Sequence, residues 1–314
     1  MSRYRVVVTD QVFPSVDIER KLLAKIDAEL EVASGKLDDV LAKGRQADAL
    51  LNTYFPMEAS TIAQLGRCKI IARYGIGTDN LDKKAAQQAG IVVTKVPDYC
   101  VQEVGDHALA LLLAVIRRIP QADALVRSGG WGVSNLQPID RISELTVGLV
   151  GYGKIPRRLG SVLTAMGAKL LVYDPYVKPG PGIPPLVSLD ELLRKSDAIS
   201  IHAPLTDETR GLIGARQLEM MPNHAVLVNT SRGPLVVLDD VADALRRGVI
   251  RGAGLDVFEK EPLDPKLIEG VPGLIVTPHC SYYSEAALRE SQTKAATQII
   301  KVLTGEKPDY PVLP

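Results

Sequence analysis

Val147-Gly148-Leu149-Val150-Gly151-Tyr152-Gly153-Lys154-Ile155-Pro156 reads as a strand, a Gly-x-Gly turn and the start of a helix. Gly151 permits the tight turn. Gly153 lets the backbone approach a pyrophosphate, which then sits at the positive end of the helix. The third position of this fingerprint is Pro156, where glycine normally serves close helix–strand packing. Proline is tolerated in a first helical turn, because its missing N–H would be unpaired there anyway. A shifted loop is therefore expected, with phosphate binding still open to it. Asp174 closes the next strand, about 20 residues on, where an acidic side chain can bond adenine-ribose hydroxyls. It would also repel a 2′-phosphate. The expectation is a dinucleotide-binding unit that favours NAD over NADP; the alternative is a glycine turn with no ligand.

Outward from this stretch, short β-branched runs alternate with amphipathic segments from end to end, the pattern of parallel sheets with crossover helices. The strands expected in the second half are 146–150, 169–173, 198–202, 225–229, 253–257 and 274–277. Six parallel strands are the size of a dinucleotide-binding domain. In the N-terminal third the expected strands are 5–9, 47–51, 69–72 and 91–94, with helices near 16–30, 60–65 and 83–89. A long apolar helix is expected over 101–119, ending before Pro120. A loop rich in Gly, Ser, Asn and Pro follows over 128–139. It holds the only tryptophan, Trp131, expected to pack between elements. The tail, 285–303, reads as a helix that crosses back to the N-terminal domain. The fold class expected is α/β: two doubly wound parallel-sheet domains with a cleft between them. The first takes residues 1–98 and 287–314 and the second 99–286, with crossings near Pro97 and Glu285.

The bulk numbers agree with this and exclude other classes. A chain of 314 residues can bury two ordinary cores. Its 46% apolar and 24% charged content is that of a globular protein. The 37 basic residues balance 37 acidic ones, so no global field favours nucleic acid or an anionic membrane. Cys68, Cys100 and Cys280 make neither a disulfide framework nor a zinc spacing. No metal is expected, and a reducing compartment, the cytoplasm, is. The start of the chain has only a Val6-Val7-Val8 run and reads as a first strand, too short for a signal-peptide core. The longest strongly apolar segment, 108–116, falls well short of a membrane span.

Polar residues recur just past the expected strand ends: Asp174, His202, Asn229 to Arg232, Asp256 to Glu261, and His279. In a doubly wound sheet these ends line one crevice. Hydride transfer to a carbonyl needs a proton donor, a cationic anchor for an acid group, and a bound nicotinamide. Histidine fits the first task near neutral pH. Arginine fits the second, because its planar fork can hold a carboxylate and the adjacent oxygen together. A carboxylate beside the histidine orients it and favours imidazolium. Spacing alone leaves open which histidine and which carboxylate act. His107, His202 and His224 read as structural or cofactor-adjacent, and Glu259 competes with Glu261. Cys280 reads as packing, and Lys154 as either a phosphate contact or solvated.

Three segments, Asn229-Thr230-Ser231-Arg232-Gly233, Gly254-Leu255-Asp256-Val257-Phe258-Glu259-Lys260-Glu261-Pro262 and Thr277-Pro278-His279, resemble the signatures of the D-isomer-specific 2-hydroxyacid dehydrogenase family. So do Arg73-Tyr74-Gly75-Ile76-Gly77-Thr78-Asp79-Asn80 and Val96-Pro97-Asp98-Tyr99, and the likeness covers nearly the whole chain. The resemblance implies a flavodoxin-like substrate domain and a Rossmann cofactor domain. It implies an NAD-dependent oxidoreductase acting on a small D-2-hydroxy or 2-oxo acid. Arg232 would bind the substrate carboxylate and carbonyl, His279 would be the acid/base, and Glu261 its partner. The amides of Ile76 and Gly77 would bind the carboxylate from the other domain. Asp256 would hold the nicotinamide carboxamide. Ala203, Pro204, Thr209, Thr230, Ser231 and His279 would line the cofactor, with Gly151, Gly153, Lys154, Ile155 and Asp174. Glu261 argues against the formate dehydrogenase branch, which carries Gln there. The family commonly forms homodimers through the cofactor domain; no nucleic-acid or membrane partner is expected. Residues 279–285 look most like the branch that includes the C-terminal binding proteins, NAD-binding corepressors on the same fold. That branch has Trp where Tyr282 stands and usually a long disordered tail, whereas this sequence stops at Pro314. An NAD-sensing corepressor is therefore the alternative function. The substrate side chain has no readable code: Tyr54, Tyr74, Tyr99 and Tyr282 could line a pocket or a core.

Overall fold

In the computed structural model, which describes residues 2–313, the N-terminal β-branched runs form β1 (Tyr4–Val8), β3 (Ala49–Asn52), β4 (Ile70–Arg73) and β5 (Val92–Thr94). β2 (Ala28–Val32) falls inside the helix expected over 16–30. That helix stops at Leu23, a 3-10 turn covers Ala24–Ile26, and Asp27 takes a left-handed φ of 55°. Ala28-Glu29-Leu30-Glu31-Val32 alternates with a period of two, which suits a half-covered edge strand better than a helix. A further helix, Leu37–Gly44, stands where the sequence pattern gives no element. The parallel order is β2-β1-β3-β4-β5, the flavodoxin-like arrangement.

The chain divides into two compact units, Met1–Tyr99 with Tyr283–Pro314, and Cys100–Tyr282. Met1 and Pro314, the outer limits of the expected first domain, lie outside the described residues. In the first unit, Val7, Leu50, Met57 and Ile71 sit in the core. The tail helix, Glu285–Leu303, starts where the Ser284 hydroxyl accepts the Ala287 amide at 2.9 Å, and packs on β3, β4 and helix Asp17–Leu23. Tyr74 is core here: its phenol donates at 2.6 Å to the buried Glu19 carboxylate, which also takes the Gln292 amide.

The second unit holds β6 (Thr146–Val150), β7 (Lys169–Tyr173), β8 (Ala198–Ile201), β9 (Val226–Asn229), β10 (Gly252–Leu255) and β11 (Leu274–Val276). All pair in parallel, in the order β11-β10-β9-β8-β6-β7. Val147, Leu149, Val226 and Val228 share one core with Leu112, Ile116, Leu159 and Leu163, from helices Val101–Ile116 and Lys154–Ala165. Ile199, Ile201 and Leu227 share another with Leu192, Leu193, Val241 and Leu245, from helices Leu189–Lys195 and Leu238–Arg247. Both sheet faces are buried, as parallel sheets require. The crevice at the C-terminal ends of β6 and β8, where strand order reverses, is the usual ligand site. Among the described residues no helix is long and apolar enough to cross a membrane.

Two local expectations are corrected. The helix expected over 101–119 ends at Ile116; Arg118 takes a left-handed φ of 52°, and a second helix runs Ile119–Arg127. Pro120 lies in the first turn of that helix, where its fixed φ is welcome, so it opens a helix and does not merely follow one. Trp131, expected to fill a gap, is 88% exposed. Its neighbours Gly129, Gly130 and Gly132 offer no apolar wall, and Val126 and Val133 are themselves exposed.

Candidate active site

At the end of β6 the chain turns through Gly151, whose φ is 91°. A β-carbon there would stand 2.8 Å from the His202 carbonyl oxygen at the end of β8, so only glycine fits. Gly153 caps the 12-residue helix Lys154–Ala165, and a β-carbon on it would meet nothing within 4 Å. The helix start therefore opens on free space, headed by the amides of Lys154 and Ile155. Pro156 is buried in the same first turn. After β7, Asp174 Oδ2 accepts the Tyr152 amide at 2.8 Å, and Oδ1 accepts the Tyr176 and Val177 amides at 2.9 and 3.2 Å. The carboxylate thus ties the glycine turn to the end of β7. Past β8 come Ala203 and Pro204, and the Thr209 hydroxyl closes that loop by donating to the Pro204 carbonyl at 2.7 Å. Thr230 Oγ1 and His202 Nδ1 are buried without a protein partner among the described residues. Buried polar atoms of this kind call for a ligand group or a water. Open helix start, glycine turn, acidic strand end and unpaired polar atoms together fit an adenine dinucleotide.

The next strand ends supply the reactive groups. Asn229, at the end of β9, clamps its own turn: Oδ1 accepts the Ser231 amide at 3.0 Å and Nδ2 donates to the Arg232 carbonyl at 2.9 Å. Ser231 Oγ donates to the Ile201 carbonyl, and Arg232 Nη1 to the Ser231 carbonyl, both at 2.8 Å. A β-carbon on Gly233 would fall 1.9 Å from the Phe258 carbonyl carbon. Glycine is what lets the Arg232 turn close against the loop that carries Glu261. Glu261 Oε1 accepts the Phe258 amide at 2.9 Å, and Oε2 lies 2.7 Å from His279 Nδ1. Burial pushes the Glu261 carboxyl up, but the bonds from His279 and the Phe258 amide outweigh it and hold it below the ordinary carboxylate range. The pair borders a pocket of about 340 Å³ walled by Phe258, Pro262, Leu263, Val276 and Pro278.

His279 itself has a left-handed φ of 52°. Its amide donates to the Asp256 carbonyl at 2.8 Å. The wholly buried Asp256 carboxylate accepts the Thr277 hydroxyl at 2.6 Å and the Cys280 and Ser281 amides at 2.9 and 3.0 Å. Tyr282 sets its ring edge-on to the imidazole, with centroids 6.1 Å apart.

Residues 109–281, more than half of the chain, match the family profile "D-isomer specific 2-hydroxyacid dehydrogenase, NAD binding domain". The chain belongs to the D-isomer-specific 2-hydroxyacid dehydrogenase family. The D-3-phosphoglycerate dehydrogenase of Mycobacterium tuberculosis is 37% identical over 314 residues, covering 98% of this chain and 58% of the relative. The glyoxylate reductase of Thermococcus litoralis is 36% identical over 279 residues, covering 86% and 84%. The solved TT0316 protein of Thermus thermophilus matches with a TM-score of 0.90 at 34% identity, covering 98% of this chain and 100% of that one. The chain spans little more than half the length of the phosphoglycerate dehydrogenases it matches. Family and NAD cofactor, both expected from the sequence, are those found. The relatives carry dehydrogenase and reductase names, and the likeness to the corepressor branch gains no support.

For this member of the 2-hydroxyacid dehydrogenase family, the structure separates four histidines that spacing could not. Burial pushes the His202 imidazole down to about 3, so it stays neutral at working pH. His224 pairs with Asp197 at 2.7 Å, and both precede their strands, at the end of the sheet away from the glycine turn. His279 has the carboxylate, and its partner is Glu261 and not Glu259, which is exposed. His107 lies 3.0 Å from Thr277 Oγ1, across 170 residues of sequence that give no sign of it. Burial, with the nearby Asp256 charge, pushes the Cys280 thiol up, so it is no thiolate nucleophile. In the first unit, Ile76 and Gly77 lie in the loop that follows β4.

Proposed function

We propose that this chain interconverts a small D-2-hydroxy acid and its 2-oxo acid with NAD(H). The observation that carries the reading is the 2.7 Å Glu261–His279 pair, on the sheet whose first strand ends in the glycine turn. Bound NADH would supply the hydride for reduction, and NAD⁺ would accept it in oxidation. His279, held through Nδ1, uses Nε2 to give a proton to the carbonyl oxygen or take it from the hydroxyl. Arg232 grips the carboxylate and the adjacent oxygen, with the amides of Ile76 and Gly77 as further donors. Gly151, Gly153, Lys154 and Ile155 take the pyrophosphate, and Asp174 the ribose. Ala203, Pro204, Thr209, Thr230 and Ser231 line the rest, with Asp256 at the carboxamide. Residues 1–98 with 287–314 are the substrate domain and 99–286 the cofactor domain. The test is NADH consumption with a panel of small 2-oxo acids; no turnover of any of them would sink the proposal.

The Glu261 charge sets a pH dependence. Its carboxyl lies below the usual range, so it is ionised wherever His279 titrates and favours imidazolium. Reduction needs the protonated imidazole, so activity falls as pH rises through that titration. In Glu261→Gln the charge is gone, and the limb should move to lower pH. The acid limb of oxidation should move the same way. Profiles of kcat/KM in both directions measure this; unmoved limbs would remove Glu261 as the partner.

Asp174 sets cofactor choice. Asp174→Ser should narrow the preference for NADH over NADPH about tenfold or more, since it relieves repulsion of a 2′-phosphate. A wild type that already favours NADPH would refute this. Pairing of two copies through the cofactor domain is supported by exposed Ile119, Val126, Trp131 and Val133 within one segment. Light scattering on the purified protein measures it. A cytoplasmic setting is supported by three cysteines that remain free thiols.

A further inference from the structure

Thr277 and His107 have no part in the roles above, yet both join the centre of the site. Thr277 Oγ1 lies 2.6 Å from Asp256 Oδ1 and 3.0 Å from His107 Nε2. His107 Nε2 is itself 3.8 Å from the same Asp256 oxygen. The proton count follows from the chemistry of the groups. An ionised carboxylate only accepts, so the single hydroxyl proton of Thr277 goes to Asp256. Thr277 then has only lone pairs to offer His107, and Nε2 must carry a proton. The result is a one-way donor chain from His107 through Thr277 to Asp256.

Asp256 in turn ends the bonds that hold the turn of His279. Its carboxylate takes the Thr277 hydroxyl and the Cys280 and Ser281 amides, and its carbonyl takes the His279 amide. A residue with a β-carbon is costly at a φ of 52° and stays there only while its surroundings hold it. We infer that His107 and Thr277 are positioning residues for His279: their donor chain fixes the Asp256 carboxylate, and Asp256 fixes the turn that sets the imidazole against Glu261. The inference rests on the reading of His279 as the acid/base.

One ligand atom each from His107, Asp256 and Cys280 lie within 4.8 Å of one another, a grouping that a metal ion can bridge. The hydrogen bonds argue for the donor chain instead. Asp256 Oδ1 already takes two donors, Thr277 stands between the acid and the imidazole, and the Cys280 thiol is held in its protonated form. Among the described residues, the titratable groups that meet the His279 imidazole include Glu261, bonded at Nδ1, and Tyr282, edge-on to the ring.

The experiment compares Thr277→Val with Thr277→Ser, and His107→Leu with His107→Gln, in the full chain. Thr277→Val and His107→Leu should lower kcat about tenfold, the scale of one lost hydrogen bond to a charged group. KM for the 2-oxo acid should change little. Serine keeps the hydroxyl, and the glutamine amide can stand near the place of Nε2, so both should recover most of the loss. A second readout needs no turnover. With only four histidines, the ¹⁵N-labelled imidazoles can be assigned one by one in the protein without cofactor. His107 Nε2 should be protonated. The His279 titration should move to lower pH in Thr277→Val, as the contact with Glu261 loosens, and should stay in place in Thr277→Ser. Equal losses in the paired variants, or a lower Tm with an unmoved His279 titration, would reduce both residues to packing and overturn the inference. Activity lost to a chelator and restored by Zn²⁺ would overturn it in favour of a metal. A wild type inactive on every 2-oxo acid would defeat the functional reading alone, and the titration would still decide this one.

Discussion

His279→Asn is expected to lower kcat for reduction of a 2-oxo acid by about 10²–10⁴-fold, the usual worth of a positioned acid/base. Asparagine is chosen for its backbone. Residue 279 sits at a φ of 52°, and asparagine is among the residues that accept that region best. Its amide would keep the bond to the Asp256 carbonyl, so the turn should survive while the titrating group is lost. Alanine would mix a missing acid with a loosened turn. NADH affinity, measured without substrate, should change little, because the glycine turn and the Asp174 contacts lie at other strand ends. The pH dependence assigned to the imidazole should flatten as well. Retained turnover with an unchanged pH profile would place the proton donor elsewhere.

The class of fold was readable because the signals are local. Val147 to Pro156 contains a strand, a turn that only glycine can make against His202, and a helix start, all within one contiguous stretch. Short β-branched runs between amphipathic segments placed the six strands of the second sheet to within a residue or two. The misses are also physical. β2 was hidden because Ala28–Val32 follows a genuine short helix with no Gly or Pro between them; the break is a left-handed aspartate. Trp131 departs from the expectation that a large aromatic is covered, because the glycines beside it offer no apolar wall. At the site, strand ends gave addresses but not partners. That His279 meets Glu261, that Asp256 turns inward to hold a loop, and that His107 reaches Thr277 are long-range contacts. Their separations in sequence obey no periodicity.

Arg232→Ala should lower kcat/KM for 2-oxo acids by roughly 30- to several-thousand-fold, since truncating one partner of a desolvated charge pair costs about 2–5 kcal/mol. The loss should appear in both KM and kcat. An arginine that holds the carboxylate binds the ground state, and one that also touches the carbonyl oxygen meets the charge growing there in the transition state. Arg232→Lys separates these two duties. Lysine restores the positive charge but not the planar fork, so it should recover part of the binding and little of the rate. The turn that carries the guanidinium is braced. Its turn is clamped by Asn229 on both sides, Nη1 is tied to the Ser231 carbonyl, and Gly233 brings the turn against the Glu261 loop. NADH binding should survive in both variants, because the cradle at the end of β6 does not depend on Arg232. Adding free guanidinium to Arg232→Ala gives an independent check. If turnover rises with guanidinium and not with ammonium, the fork is the working element. If both variants keep wild-type kinetics, the acid group is held by other donors and Arg232 only braces its turn.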